Sequence, residues 1–126
     1  VLVYAQAAHE DTVLMEQPEL HLHPRLQTRL GDVLIESIHE RKNQLLIETH
    51  SEHLILRLLR RIRETNEGRL PDEKHSLSHE DLSVIFVEPH DDSASTVRVL
   101  EVDKEGNLVE GWPQSFFDEG FEERFA

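Results

Sequence analysis

The sequence contains no cysteine. That excludes a disulfide framework and a thiolate metal site. No apolar run approaches the roughly 18 residues that a bilayer span requires. Basic residues are scarce: 13 Lys and Arg stand against 26 Asp and Glu, a formal net charge of −13. Such a chain is not a general binder of nucleic acid or anionic membrane, because phosphate backbones attract cationic surfaces. No internal repeat and no low-complexity tract is visible. Methionine occurs once, at Met15, and the chain opens on Val1-Leu2-Val3-Tyr4. The expectation is a piece of a longer cytoplasmic protein, with no signal-peptide n-region at its start.

What is present is one domain's worth of chain, 126 residues, 37% hydrophobic and 31% charged. That composition is lean but above the disordered range. The charge is uneven. Residues 1–50 hold 8 acids and 4 bases, residues 51–70 hold 3 and 5, and residues 71–126 hold 15 and 4. The one basic stripe is Arg57, Arg60, Arg61 and Arg63. Asn66 to His79, with Gly68 and Pro71, reads as a surface loop. From Gly111 onward, Trp112, Phe116, Phe117, Phe121 and Phe125 alternate with acids. That tail, 111–126, reads as a short docking segment beside a main unit of 1–110.

Periodicity predicts the elements. Val1 to Ala8 reads as the end of a helix. Thr12 to Met15 is a short apolar run between turn signals, as in a buried parallel strand. Pro24 suits a first helical turn. Leu26, Leu30, Val33, Leu34 and Ile38 then give an amphipathic helix over 24–41. Leu45 to Ile47 reads as a second buried strand. Thr49 or Ser51 can cap the next helix, and Thr49 with Glu52 fits a capping box. Leu54, Ile55, Leu58, Leu59 and Ile62 make its inner face, with the arginines outward. Strands follow at Leu82 to Val87 and Val97 to Val102, then a turn at Asp103 to Asn107. The order is that of an α/β fold, a parallel core sheet with an antiparallel edge hairpin.

In open α/β sheets ligands bind beyond the carboxyl ends of the strands. The first strand ends in Glu16-Gln17-Pro18-Glu19 and the second in Glu48-Thr49-His50-Ser51. If the strands are parallel neighbours, Glu16, Gln17 and His50 share one rim. Carboxylates there suit Mg²⁺, a hard cation that takes oxygen ligands and keeps several waters.

These residues carry a resemblance. Val13-Leu14-Met15-Glu16-Gln17-Pro18-Glu19 resembles a Walker B segment of ABC-type ATPases of the AAA group. Leu20-His21-Leu22-His23-Pro24 resembles the D-loop of the overcoming-lysogenisation-defect branch. Glu48-Thr49-His50-Ser51 resembles its switch-histidine motif. Gly111 to Asp118 resembles the domain of unknown function that ends a group of bacterial ATPases of this branch. The resemblance implies the C-terminal half of a P-loop NTPase that dimerises head to tail around ATP and Mg²⁺. It implies Glu16 as the acid acting on Mg²⁺ through water, and His50 as the switch residue at the γ-phosphate. Gln17 falls where a catalytic glutamate usually stands, with Glu19 as an auxiliary. His21, Leu22, His23 and Pro24 fall on the D-loop, toward a second subunit. It further implies DNA repair or phage defence beside a nuclease partner. No G-x-x-x-x-G-K-[ST] occurs in these residues, so the chain alone is expected to bind ATP weakly or not at all.

Other readings stand beside these. Gln17 can orient a water but cannot take its proton at neutral pH, which suits a nucleotide-responsive clamp with little hydrolysis. Glu16 and Glu19 could simply favour a helix N-terminus. His50 could be a capping residue. His21, His23, His50 and His53 could instead hold zinc, which with Glu16 and Glu19 would make a metal-dependent hydrolase. The arginine stripe is a solvated helix face or a DNA contact; the acidic C-terminal half is not expected to contact DNA itself.

Overall fold

A computed structural model describes residues 11–113. The expected helix end at Val1 to Ala8 and the aromatic tail at Phe116, Phe117, Phe121 and Phe125 lie outside the described residues. Strands β1 (Thr12–Glu16) and β2 (Gln44–Glu48) pair parallel, in register from Thr12↔Gln44 to Glu16↔Glu48. Helix α1 (Pro24–Arg41) connects them and α2 (Glu52–Asn66) follows β2. Strands β3 (Val84–Pro89) and β4 (Ser95–Leu100) form an antiparallel hairpin.

The parallel pair is buried on one face only. Side chains alternate along a strand, so Met15, Leu45 and Ile47 pack on Leu30, Leu34 and Leu54 of the helices. The register partners Leu14 and Leu46 point the other way and are 67% and 59% exposed. The expectation of strands buried on both faces is therefore corrected: among the described residues, the helices cover a single side.

The hairpin is also not an edge of that sheet. It forms a separate two-stranded sheet. Leu100, with Val84 and Phe86, packs on Ile35, Ile55, Leu59 and Ile62. The two helices thus have the parallel pair on one apolar cluster and the hairpin on another. Both hairpin strands lie slightly off the predicted bounds, and beyond β4 Val102 pairs with Leu108 around the predicted turn at Asp103 to Asn107.

Local chemistry explains the helices. Proline at the first turn has its φ preset and lacks an N–H that would have no partner there; Pro24 occupies that position in α1. Lys42 closes the helix in the left-handed region at φ 51°. The inner face of α1 is Leu30, Gly31, Leu34 and Ile35, whereas Leu26 and Val33, expected inside, are exposed. Gly31 admits α2 closely, since a Cβ there would lie 2.8 Å from Arg57 Cγ. The inner face of α2 is as predicted, with Leu54, Ile55, Leu59 and Ile62 buried and Leu58 partly so.

The arginine stripe departs from the expected outward face. Arg61 is only 5% exposed and pairs with Asp32 of α1 and Glu64 of α2. Arg57 is largely covered beside Asp32. Arg63 donates to the Glu105 carbonyl at 3.0 Å, and Arg60 pairs with Glu64 at 2.7 Å. Guanidinium planes seek bidentate carboxylates, and α1 supplies one that no local pattern on α2 reveals. The loop from Asn66 holds two short 3₁₀ turns, Glu73–His75 and His79–Asp81, and is anchored by buried Leu77. Among the described residues no helix is long and apolar enough to cross a membrane.

Candidate functional site

The site grows from the two strand ends. Because β1 and β2 are parallel and in register, Glu16 stands opposite Glu48. Gln17 extends the ladder by one bond, its N–H donating to the Glu48 carbonyl at 2.8 Å. Its φ of +45° lies in the left-handed region that disfavours non-glycine residues. The chain then reverses twice. Leu20 N–H donates to the Gln17 carbonyl at 3.0 Å across Pro18, and Leu22 N–H to the Glu19 carbonyl at 2.9 Å. His21 takes the second left-handed position, at φ +66°. His23 then caps α1, its Nδ1 accepting the Arg25 N–H at 3.3 Å.

These reversals carry Glu19 back under the rim, where it is 7% exposed. Its Oε1 accepts the Thr49 hydroxyl at 2.6 Å and the His50 N–H at 3.0 Å. Its Oε2 is buried and has no partner among the described residues. Thr49 Oγ1 in turn accepts the Ser51 N–H at 3.0 Å. A second chain runs beside the first. Ser51 Oγ donates to Gln27 Oε1 at 2.6 Å, and Gln27 Nε2 donates to the Leu22 carbonyl at 3.0 Å. Ser51 also caps α2, accepting the Leu54 N–H at 3.1 Å. The cap is thus Ser51, and the predicted Thr49/Glu52 box is corrected, because the Thr49 hydroxyl is engaged by Glu19.

The predicted residues separate into groups. Glu16 and His50 are exposed and Gln17 is half-buried, all at the same end of the parallel pair. Glu19, expected as an auxiliary near water, is turned inward. His21, His23 and Pro24 are exposed, while Leu22 packs inward on the Leu30, Leu34 and Leu54 cluster. Leu20, 59% exposed, is the apolar residue this turn presents outward. Sequence reasoning missed Gln27, whose partner Ser51 is 24 residues away and leaves no local signature.

The donor chemistry of the rim suits a hard cation. Glu16 and Glu48 present exposed carboxylates from register partners on one face, the oxygen type that Mg²⁺ prefers. The imidazoles do not assemble likewise: no three His, Asp or Glu side chains among the described residues are grouped to hold a metal ion. The proposed zinc set of His21, His23, His50 and His53 is therefore not gathered.

Residues 4–55 match the family described as AAA ATPase domain, a span that takes in every candidate site residue. Residues 77–123 match a family described as protein of unknown function (DUF3696), a span that includes the β3–β4 hairpin. No curated protein and no solved structure gives a significant match. The first match supports an ATPase-family role with use of a nucleotide, and the mixed α/β architecture is consistent with part of a P-loop NTPase.

Proposed function

We propose that this chain carries the Walker B, D-loop and switch-histidine portion of an ABC-type ATPase that dimerises around ATP and Mg²⁺. The observation that carries the reading is the in-register parallel pairing of β1 with β2. It delivers Glu16-Gln17 and His50 to one rim from segments some 30 residues apart. Bound Mg²⁺ would neutralise charge on the phosphates, the main electrostatic term in phosphoryl transfer. Glu16 would hold the ion through water, with Glu48 beside it. His50 would donate a hydrogen bond toward the terminal phosphate. The Gln17 carboxamide would accept from an attacking water and orient it. The exposed Leu20-His21 corner, with His23 and Pro24, is the surface offered to a second subunit.

The test is ATP turnover by the full-length protein. His50→Ala should lower it about a hundredfold, the usual cost of losing one aligned donor. Unchanged turnover would remove His50 from the site.

Gln17 favours a second reading, a clamp that holds a partner while nucleotide is bound and hydrolyses slowly. An amide cannot accept the water's proton, so the two readings share one site and differ in turnover.

A further inference from the structure

We infer that Glu19 is a positioning residue for His50: it holds the backbone that aims the imidazole, and takes no part in proton transfer. The inference rests on the proposed role of His50 at the terminal phosphate. Three observations combine. The carboxylate is buried, and burying a carboxylate is costly unless its hydrogen bonds are made. It directs one oxygen at two donors on consecutive residues, Thr49 and His50. Through Thr49 the same chain reaches the Ser51 N–H. The backbone is therefore tied before, at and after His50, while the His50 ring stays exposed. So constrained a backbone fixes the Cα–Cβ bond from which the ring departs, and leaves only a few staggered rotamers to turn it.

The same geometry argues against Glu19 as the base that Gln17 cannot be. Oε1 already accepts from two donors, and Oε2 is closed to solvent, so neither oxygen is open to a water at the rim. The Leu22–Gln27–Ser51 chain is a second tie between the same two segments. Displacing the Glu19 to Leu22 corner would move His50 with it.

The experiment is a double-mutant cycle on ATP turnover in the full-length protein, with Glu19→Ala, His50→Ala and their combination, and Glu19→Gln as the conservative variant. Glu19→Ala should lower kcat about tenfold to a hundredfold, the scale of a misplaced catalytic group, with KM for ATP within about twofold because the phosphate grip is untouched. Glu19→Gln keeps an oxygen acceptor and should restore kcat to within about threefold of wild type, since a neutral acceptor can take both bonds. In the His50→Ala background Glu19→Ala should cost nothing more. Full additivity in that cycle would assign Glu19 to folding alone and overturn the inference. A Glu19→Gln loss as deep as Glu19→Ala would assign the carboxylate to chemistry and overturn it too. If Glu19→Ala does not fold, the Gln variant and Thr49→Val decide. Thr49→Val should lower kcat in the wild-type background and not in His50→Ala; a loss in both overturns the inference. An inactive wild type, or an active one indifferent to His50→Ala, would instead overturn the functional proposal.

Discussion

Arg61 of α2 and Asp32 of α1 are joined by two side-by-side hydrogen bonds, Nε to Oδ1 at 2.8 Å and Nη2 to Oδ2 at 2.9 Å. Arg61 Nη1 reaches Glu64 Oε2 at 2.6 Å from the same buried position. The helix pair that supports both sheets is therefore closed by a charged clamp beside its apolar contacts. Removing Arg61 leaves Asp32 with Arg57 at 3.7 Å and Glu64 with Arg60 at 2.7 Å, so the cost stays below the roughly 3–5 kcal/mol of a fully uncompensated buried charge. Arg61→Ala should lower the unfolding free energy by about 1.5–3 kcal/mol, read as a lower urea midpoint with an unchanged slope. Replacing Arg61 and Asp32 together by apolar residues should cost less than Arg61→Ala alone.

The same clamp sets an acid limit. Burial pushes the Asp32 carboxyl up, but the Arg61 hydrogen bonds and the charges of Arg61 and Arg57 outweigh it and hold Asp32 below its ordinary range. Glu64 is likewise pushed up by burial and held lower by Arg60 and Arg61. A carboxyl depressed in the folded state contributes stability above its unfolded value and loses it as pH falls through the folded one. Stability should hold through neutral pH and fall steeply below the usual carboxylate range. Asp32→Asn should flatten that fall, as followed by thermal melts across the acid range.

Gly106 should tolerate no side chain. It lies in the turn after β4 at φ +73°, and a Cβ there would sit 2.2 Å from the Leu59 carbonyl of α2. The clash is with helix backbone, which has no rotamer by which to yield. Gly106→Ala should cost about 3 kcal/mol from strain and overpacking combined. Gly68 is the control: its φ is +65° but none of the described residues comes within 4 Å of a Cβ there, so Gly68→Ala should cost only about 1 kcal/mol. Chemical denaturation of the pair separates the two contributions.

Gln17→Glu distinguishes the two functional readings. Supplying a proton acceptor at the rim should raise ATP turnover of the full-length protein at least about tenfold if the site is slow for want of a base. No change would mean that the proton leaves by another route. The left-handed backbone at Gln17 is shared by both side chains, so melting temperature should move little.

Much of this architecture was legible from residue patterns. The short apolar runs at Thr12 to Met15 and Leu45 to Ile47, Pro24 at a first turn and the Leu54 to Ile62 stripe each report a contact made within a few residues or by a repeating face. The pairing of the two strand ends was legible because both segments are short, apolar and followed by turn chemistry. The inner stripe of α1 was misjudged at Leu26 and Val33, because the helix rotates to bring Gly31 against Arg57 and Ile35 toward the hairpin side.

Local pattern alone determined the types and order of the two parallel strands, the two long helices and the hairpin strands, since propensity, capping and helical periodicity act over a few positions. Tertiary structure decided which polar groups are buried and by whom they are satisfied. Glu19 read as a solvent-side acid and lies beneath Thr49 and His50; Arg61 read as an outward cation and closes on Asp32. The physical reason is the same for both: a buried polar group is tolerated only where distant partners converge on it, and that convergence is a property of packing between segments some 30 residues apart.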